Sequence, residues 1–187
     1  MNCVNLQTIV NEIAEYSPKV RQEDVRAFAK AIKQAKRIFV AGAGRSGFAA
    51  RGFSNRLMHL GLIAYFVGEP TTPSIGQGDI LVVGSGSGTT ASLAVNAEKA
   101  KKAGAQVATI TIFPKAKIGQ LADVVVQLPG ATPKRSEGEE DSAVSVQPMG
   151  SLFEQLSWLT YDATIMELMT LLDETSDTMF PRHANLE

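Results

Sequence analysis

One cysteine and two histidines leave little room for disulfide or zinc chemistry in this chain. Cys3 stands alone, so neither an intramolecular disulfide framework nor a cysteine-based zinc site can form. His59 and His183 lack the companions a zinc site requires, so no metal is expected. Neither sign of charge is in excess: 18 Lys and Arg against 19 Asp and Glu leave a formal charge of -1. That balance excludes nucleic acid or an anionic membrane as the main partner, and any bound anion must be gripped locally. No apolar run approaches the roughly 18 residues that a membrane-spanning helix needs. The opening MNCVNLQTIVNEIAEY carries Glu12 and Glu15 and lacks the basic flank, apolar run and cleavage site of a signal peptide, so a cytoplasmic protein is predicted. Internal repeats and low-complexity segments are also missing.

What is present suits one globular domain. A chain of 187 residues with 44% hydrophobic and 20% charged content can bury a core without staples. Leu6, Ile9, Val10 and Ile13 form a helical stripe over 4–16; Val25, Phe28, Ala29 and Ile32 form another over 22–36, with Ser17-Pro18 between them. The pattern then changes to short apolar runs: RIFVAGA (37–43), IAYFVG (63–68), DILVVGS (79–85), QVATITI (106–112) and DVVVQLP (123–129). Runs of Val and Ile without polar alternation mark strands buried on both faces. Helices near 47–60 and 89–103 separate some of them, which implies parallel pairing by crossover. The expectation is an α/β fold with a doubly wound, five-stranded parallel sheet. One domain over 1–187 is read as helices to residue 36, a βαβ core over 37–129, a mobile polar loop over 130–148, and a long helix near 151–173 with a tail in the remainder.

Two glycine-rich turns carry the chemistry. Gly42-Ala-Gly44-Arg-Ser-Gly47 follows the first strand with G-x-G-x-x-G spacing, and Glu69 follows the next. Alone, this satisfies the dinucleotide fingerprint. The second turn, Gly84-Ser-Gly-Ser-Gly-Thr-Thr90, points elsewhere. Its glycines let backbone N–H groups close on an anion at a helix N-terminus, and Ser85, Ser87, Thr89 and Thr90 add hydroxyl donors. One cap needs one such residue; four hydroxyls among Gly84, Gly86 and Gly88 fit the oxygens of a phosphate monoester. Ser46 has the same two readings, cap or phosphate donor. No lysine occupies a Walker-type position, which argues against a nucleoside triphosphate.

AGAGRSG (41–47), NRLMHLG (55–61), VVGSGSGTT (82–90), QPMGSLFEQ (147–155) and HANLE (183–187), in that order, resemble the sugar isomerase (SIS) domains, and among them the 6-phospho-3-hexuloisomerases. The resemblance implies a cofactor-free interconversion of 3-hexulose 6-phosphate and fructose 6-phosphate, in the ribulose monophosphate pathway that fixes formaldehyde. It also implies a homotetramer with active sites near subunit interfaces, and a 3-hexulose-6-phosphate synthase as functional partner. Thr89 is a departure, since close relatives often carry Glu there.

Moving a carbonyl from C3 to C2 passes through a cis-enediolate and needs a proton-shuttling base, donors for the enediolate oxygens and an anchored phosphate. Glu154 matches the family's catalytic glutamate, although Ser151-Leu-Phe-Glu154 also reads as a capping box. His59 is either a packed core histidine or a donor in the site. His183, in a tail that defaults to disorder, is an acid/base candidate because the family's tail reaches a neighbouring subunit's site. Arg45 and Arg51 could brace a phosphate or form surface ion pairs. The stripe Phe153, Leu156, Leu159, Ala163, Met166 and Met169 reads as core or subunit interface. Other readings are a non-catalytic sugar-phosphate sensor, an aldose–ketose isomerase acting on another phosphosugar, and, last, a dinucleotide enzyme.

Overall fold

The computed structural model describes residues 2–134, 138 and 140–186. Its elements run α1 (Val4–Tyr16), α2 (Gln22–Gln34), β1 (Ile38–Gly42), α3 (Gly44–His59), β2 (Ala64–Phe66), β3 (Ile80–Gly84), α4 (Ala91–Lys102), β4 (Gln106–Thr111), α5 (Lys117–Leu121), β5 (Val124–Gln127), α6 (Ser151–Leu172) and α7 (Ser176–Met179). The five strands form one sheet in the order β2-β1-β3-β4-β5, every pair parallel. This is the doubly wound arrangement the apolar runs predicted. Among the described residues no helix is long and apolar enough to cross a membrane.

Alternation along each strand sorts the core into two layers. Ile38, Val40, Ile80, Val82 and Ile110 face α2, α3 and α6, where Phe28, Phe53, Leu57, Tyr161 and Leu168 complete the larger core. Phe39, Ala41, Leu81, Val83 and Val107 face the other way, onto Leu93, Ala94 and Ala97 of α4 and Ile118 of α5. The α2 stripe is buried as predicted, whereas Leu6 and Val10 of α1 are 59% and 49% exposed. Helix α1 instead buries Tyr16 and Glu12.

The strand order reverses between β1 and β3, and the register pairs Gly42 with Gly84. The two glycine-rich turns therefore leave the carboxyl edge of the sheet side by side. A crevice at such a switch point is where open parallel sheets bind ligands.

Helix α3 begins earlier than the apolar pattern suggests, at Gly44, with the Gly47 N–H donating to the Ala43 carbonyl at 3.1 Å. Glycines read as loop in the sequence, yet here they serve close packing. A Cβ on Gly47 would lie 2.8 Å from the Gly42 carbonyl oxygen, and one on Gly42 would lie 2.8 Å from the Gly47 Cα. Only this pair lets the helix start directly against the strand end.

Candidate active site

The crevice between β1 and β3 is a cleft of about 250 Å³, walled by the first turn of α3, the turn before α4, the start of α6 and residues 131–134. It brings together Gly44, Arg45 and Ser46 from one turn, Ser85, Gly86, Ser87 and Thr90 from the other, and Glu154. Gly88 and Thr89 do not line it. Gly88, at φ 63°, packs so that a Cβ would meet the Ala116 Cβ at 2.8 Å, and Thr89 is exposed. The Thr89 N–H donates to the Ser87 Oγ at 3.3 Å, so Thr89 touches the site through that hydroxyl.

Ser85 and Ser87 are buried, and the Ser85 and Thr90 hydroxyls lie 3.4 Å apart. Thr90 holds the N-cap position of α4 without making a side-chain cap bond. Its hydroxyl is therefore not consumed by capping. Ser46 lies in the first turn of α3, near whose start no side-chain cap is made either. The amino ends of α3 and α4 converge on the cleft, and each contributes about half a positive charge.

Helix α6 starts without help from the Glu154 side chain. No capping box forms there: Gly150 is the N-cap, the Ser151 Oγ donates to the Pro148 carbonyl at 2.8 Å, and the Glu154 N–H donates to the Gly150 carbonyl at 3.0 Å. The carboxylate faces the cleft instead, where Arg45 Nε donates to it at 2.5 Å. That bond holds the Arg45 guanidinium above its ordinary pKa. Arg51 is engaged elsewhere: it pairs with Glu69 and stacks 3.9 Å from the centre of the Phe66 ring. The carboxylate of the dinucleotide fingerprint is thereby taken by an arginine.

The approach to α6 is fastened to α1. Glu12 accepts from the Val146 N–H at 3.2 Å and from Gln147 Nε2 at 2.6 Å, and the Gln147 Oε1 accepts from Gln155 at 2.8 Å. The Tyr16 hydroxyl accepts from the Val144 N–H at 3.1 Å. Part of the stretch read as a mobile loop is thus strapped down; Arg135, Ser136, Glu137 and Glu139 lie outside the described residues.

The two histidines come together, but not in this cleft. Their rings stack at 5.1 Å beside Arg56, Phe180 and Met179. His59 ends α3 whereas Arg45 and Ser46 begin it, and a helix of that length separates its ends by about 20 Å. His59 is 5% exposed; its burial, then the nearby Arg56 and then His183, hold its pKa below the usual histidine value. The Arg182 guanidinium, paired with Glu174, donates to the His59 carbonyl at 2.8 Å and ties the tail to the end of α3. Of the HANLE motif, Glu187 lies outside the described residues.

Sequence reasoning missed Thr132, Lys134, Met149 and Gly150 on the cleft wall. A signal existed for the first two: the turn after β5 leaves the sheet by the same carboxyl edge as the glycine turns.

Comparison with known proteins gives a consistent result. The SIS domain family model matches residues 31–157. A Bacillus subtilis (strain 168) protein named 3-hexulose-6-phosphate isomerase is 45% identical over 179 residues, covering 96% of this chain and 95% of its own. One of the same name from Mycobacterium gastri is 43% identical over 183 residues, covering 98% and 90%. The crystal structure of a Methanococcus jannaschii protein, described as inferring a molecular function of 3-hexulose-6-phosphate isomerase, superposes with a TM-score of 0.82 at 33% identity, covering 99% of this chain and all of that one.

Proposed function

The chain belongs to the SIS domain family, and from that membership we infer that it is an isomerase interconverting D-arabino-hex-3-ulose 6-phosphate and D-fructose 6-phosphate. The observation that carries the mechanism is that one cleft holds both the hydroxyl-rich turn and the Glu154 carboxylate. The phosphate sits on the Ser46, Ser85, Ser87 and Thr90 hydroxyls and the N–H groups of the 85–90 turn, under the amino ends of α3 and α4. Glu154 takes the proton from C2 of the hexulose phosphate, the C2–C3 enediolate forms, a proton passes from O2 to O3, and return of the first proton to C3 leaves the carbonyl at C2 and a hydroxyl at C3. Atoms and electrons balance with no further reactant, so no cofactor is invoked. Arg45 steadies the carboxylate and stands next to the developing charge on the enediolate oxygens.

His183 acts on the cleft of a neighbouring copy in a homotetramer, helping ring opening or enediolate stabilisation, with the buried His59 ring stacked against it. This reading is supported by their distance from their own cleft and by apolar side chains that one copy leaves uncovered: Leu6 and Val10 on α1, Phe48 on α3, and Trp158 and Met166 on α6. The whole chain, 1–187, works as a single domain in the cytoplasm. It acts in sequence with a 3-hexulose-6-phosphate synthase in the ribulose monophosphate pathway, which fixes formaldehyde.

The test is NMR of fructose 6-phosphate incubated with the protein in D2O. Deuterium at C3, with 3-hexulose 6-phosphate appearing, is the expected result. Deuterium at C1 would mean a C1–C2 aldose–ketose isomerase, and binding without label would mean a sensor.

A further inference from the structure

The cleft asks for more positive charge than its hydroxyl-rich turn supplies. A sugar phosphate brings a charge near -2 at neutral pH. Ser46, Ser85, Ser87 and Thr90 are neutral donors, and the two helix ends together offer about one positive charge. Arg45 cannot make up the difference, because its charge is already answered by Glu154. Within the cleft wall that leaves Lys134.

Resting on the isomerase reading above, we propose that Lys134 neutralises the phosphate of the bound substrate and sets affinity without taking part in proton transfer. Its backbone is fixed where the cleft needs it. The Lys134 N–H donates to the Thr132 Oγ1 at 3.3 Å, and the Thr132 N–H donates to the Asp141 carboxylate at 3.1 Å. Before them, the Gly130 N–H donates to the Ser142 Oγ at 3.0 Å and the Gly130 carbonyl accepts from the Ser142 N–H at 3.1 Å. Pro133 removes further freedom just ahead of the lysine. The stem therefore springs from an anchored turn, while no ion pair holds the ammonium among the described residues. Such a point charge on a flexible stem suits a phosphate whose other oxygens are already gripped by fixed donors.

The experiment is titration calorimetry of the full-length protein with fructose 6-phosphate and, separately, with inorganic phosphate, alongside steady-state kinetics. Lys134→Ala and Lys134→Gln are expected to weaken both ligands and raise KM by about tenfold, with kcat changed less than about twofold. Lys134→Arg restores most of the affinity, and the gap between wild type and Lys134→Ala narrows as salt rises. Unchanged binding of both ligands in Lys134→Ala overturns the proposal. A fall in kcat at unchanged KM also overturns it, because it would put the lysine in the chemistry. The isomerase reading fails separately: wild-type protein that binds fructose 6-phosphate through Lys134 but never turns it over would sink that reading and leave Lys134 where it stands.

Discussion

At the residue scale, Glu154 shows why a motif has to be tested against the geometry it predicts. S-x-x-E before an apolar run is a capping box when the serine accepts from the N3 amide and the glutamate reaches back to the N-cap amide. Here the serine donates its hydroxyl backwards and the glutamate turns to Arg45, so removing the carboxylate costs the helix no cap. Glu154→Gln keeps the size and one acceptor of the side chain. It is expected to bind fructose 6-phosphate normally while kcat falls by a factor of ~100 or more. Near-normal turnover in that variant would remove Glu154 as the base. His59 carries a different signature, in stability. Its folded-state pKa lies below the unfolded value, mainly through burial, so on acidification the unfolded chain takes up the proton first. Wild type should therefore lose stability as pH falls through the ordinary histidine range, down to the depressed folded value, and His59→Gln should lack that component. Denaturant melts of both proteins at pH 7.5 and 5.5 check this; identical pH dependence would mean that His59 titrates alike in both states.

The elements were unequally legible in the sequence. Strands β1, β3 and β4 announced themselves because each is buried on both faces and so needs apolar residues at nearly every position, a pattern without a competing explanation. Helix α6 was equally clear in extent but not in orientation. Its apolar residues are spread around the helix with Ser157, Thr160 and Thr164 among them, so spacing could not choose the inward face. Phe153 and Leu156 are buried in the core, and Leu159 and Met166 of the same stripe, read as core or subunit interface, are 47% and 69% exposed in one copy. The face that packs runs instead through Leu152, Tyr161, Ile165 and Leu168. Helices α5 and α7 are too short for any periodic pattern to reveal them. The candidate site was legible where glycine and hydroxyls cluster along the chain. Lys134 carried no signal of its own residue pattern and was legible only through the expected parallel topology, which brings the turn after β5 to the same edge. Glycine carries its own test at this scale. In Gly47→Ala the new Cβ meets a backbone carbonyl that no side-chain rotation can move, so α3 must shift from the strand end. A loss of about 1–3 kcal/mol in unfolding free energy is expected, with weaker phosphate binding as Ser46 moves with the helix. A Gly47→Ala protein with unchanged stability and affinity would show that the helix start tolerates the displacement.

At the scale of the whole molecule, the question is whether Glu154, proposed as the base beside the start of α3, works with the histidines at the other end of that helix. Within one copy the separation is fixed by the helix itself, and the Phe53–Tyr161 stack at 4.5 Å ties α3 to α6 partway along. Bending α3 to bring the ends together would break that core, so cooperation between Glu154 and His183 requires two copies. The requirement can be tested without knowing the symmetry of the assembly. Glu154→Gln and His183→Asn are each prepared alone, then dissociated, mixed and reassembled. If both residues belonged to one chain's site, every site in the mixture would still lack one of them, and activity would stay at the level of the parents. If His183 serves a neighbour, some sites pair an intact Glu154 from one parent with an intact His183 from the other. With random assembly these are about a quarter of the sites, so roughly that fraction of wild-type activity should return on mixing. Recovery of that order would locate the working site between copies and explain why the tail is held against the end of α3 by Arg182. No recovery, from parents shown to exchange subunits, would return the histidine pair to a structural role and leave the cleft to work with Glu154, Arg45 and the hydroxyl-rich turn alone.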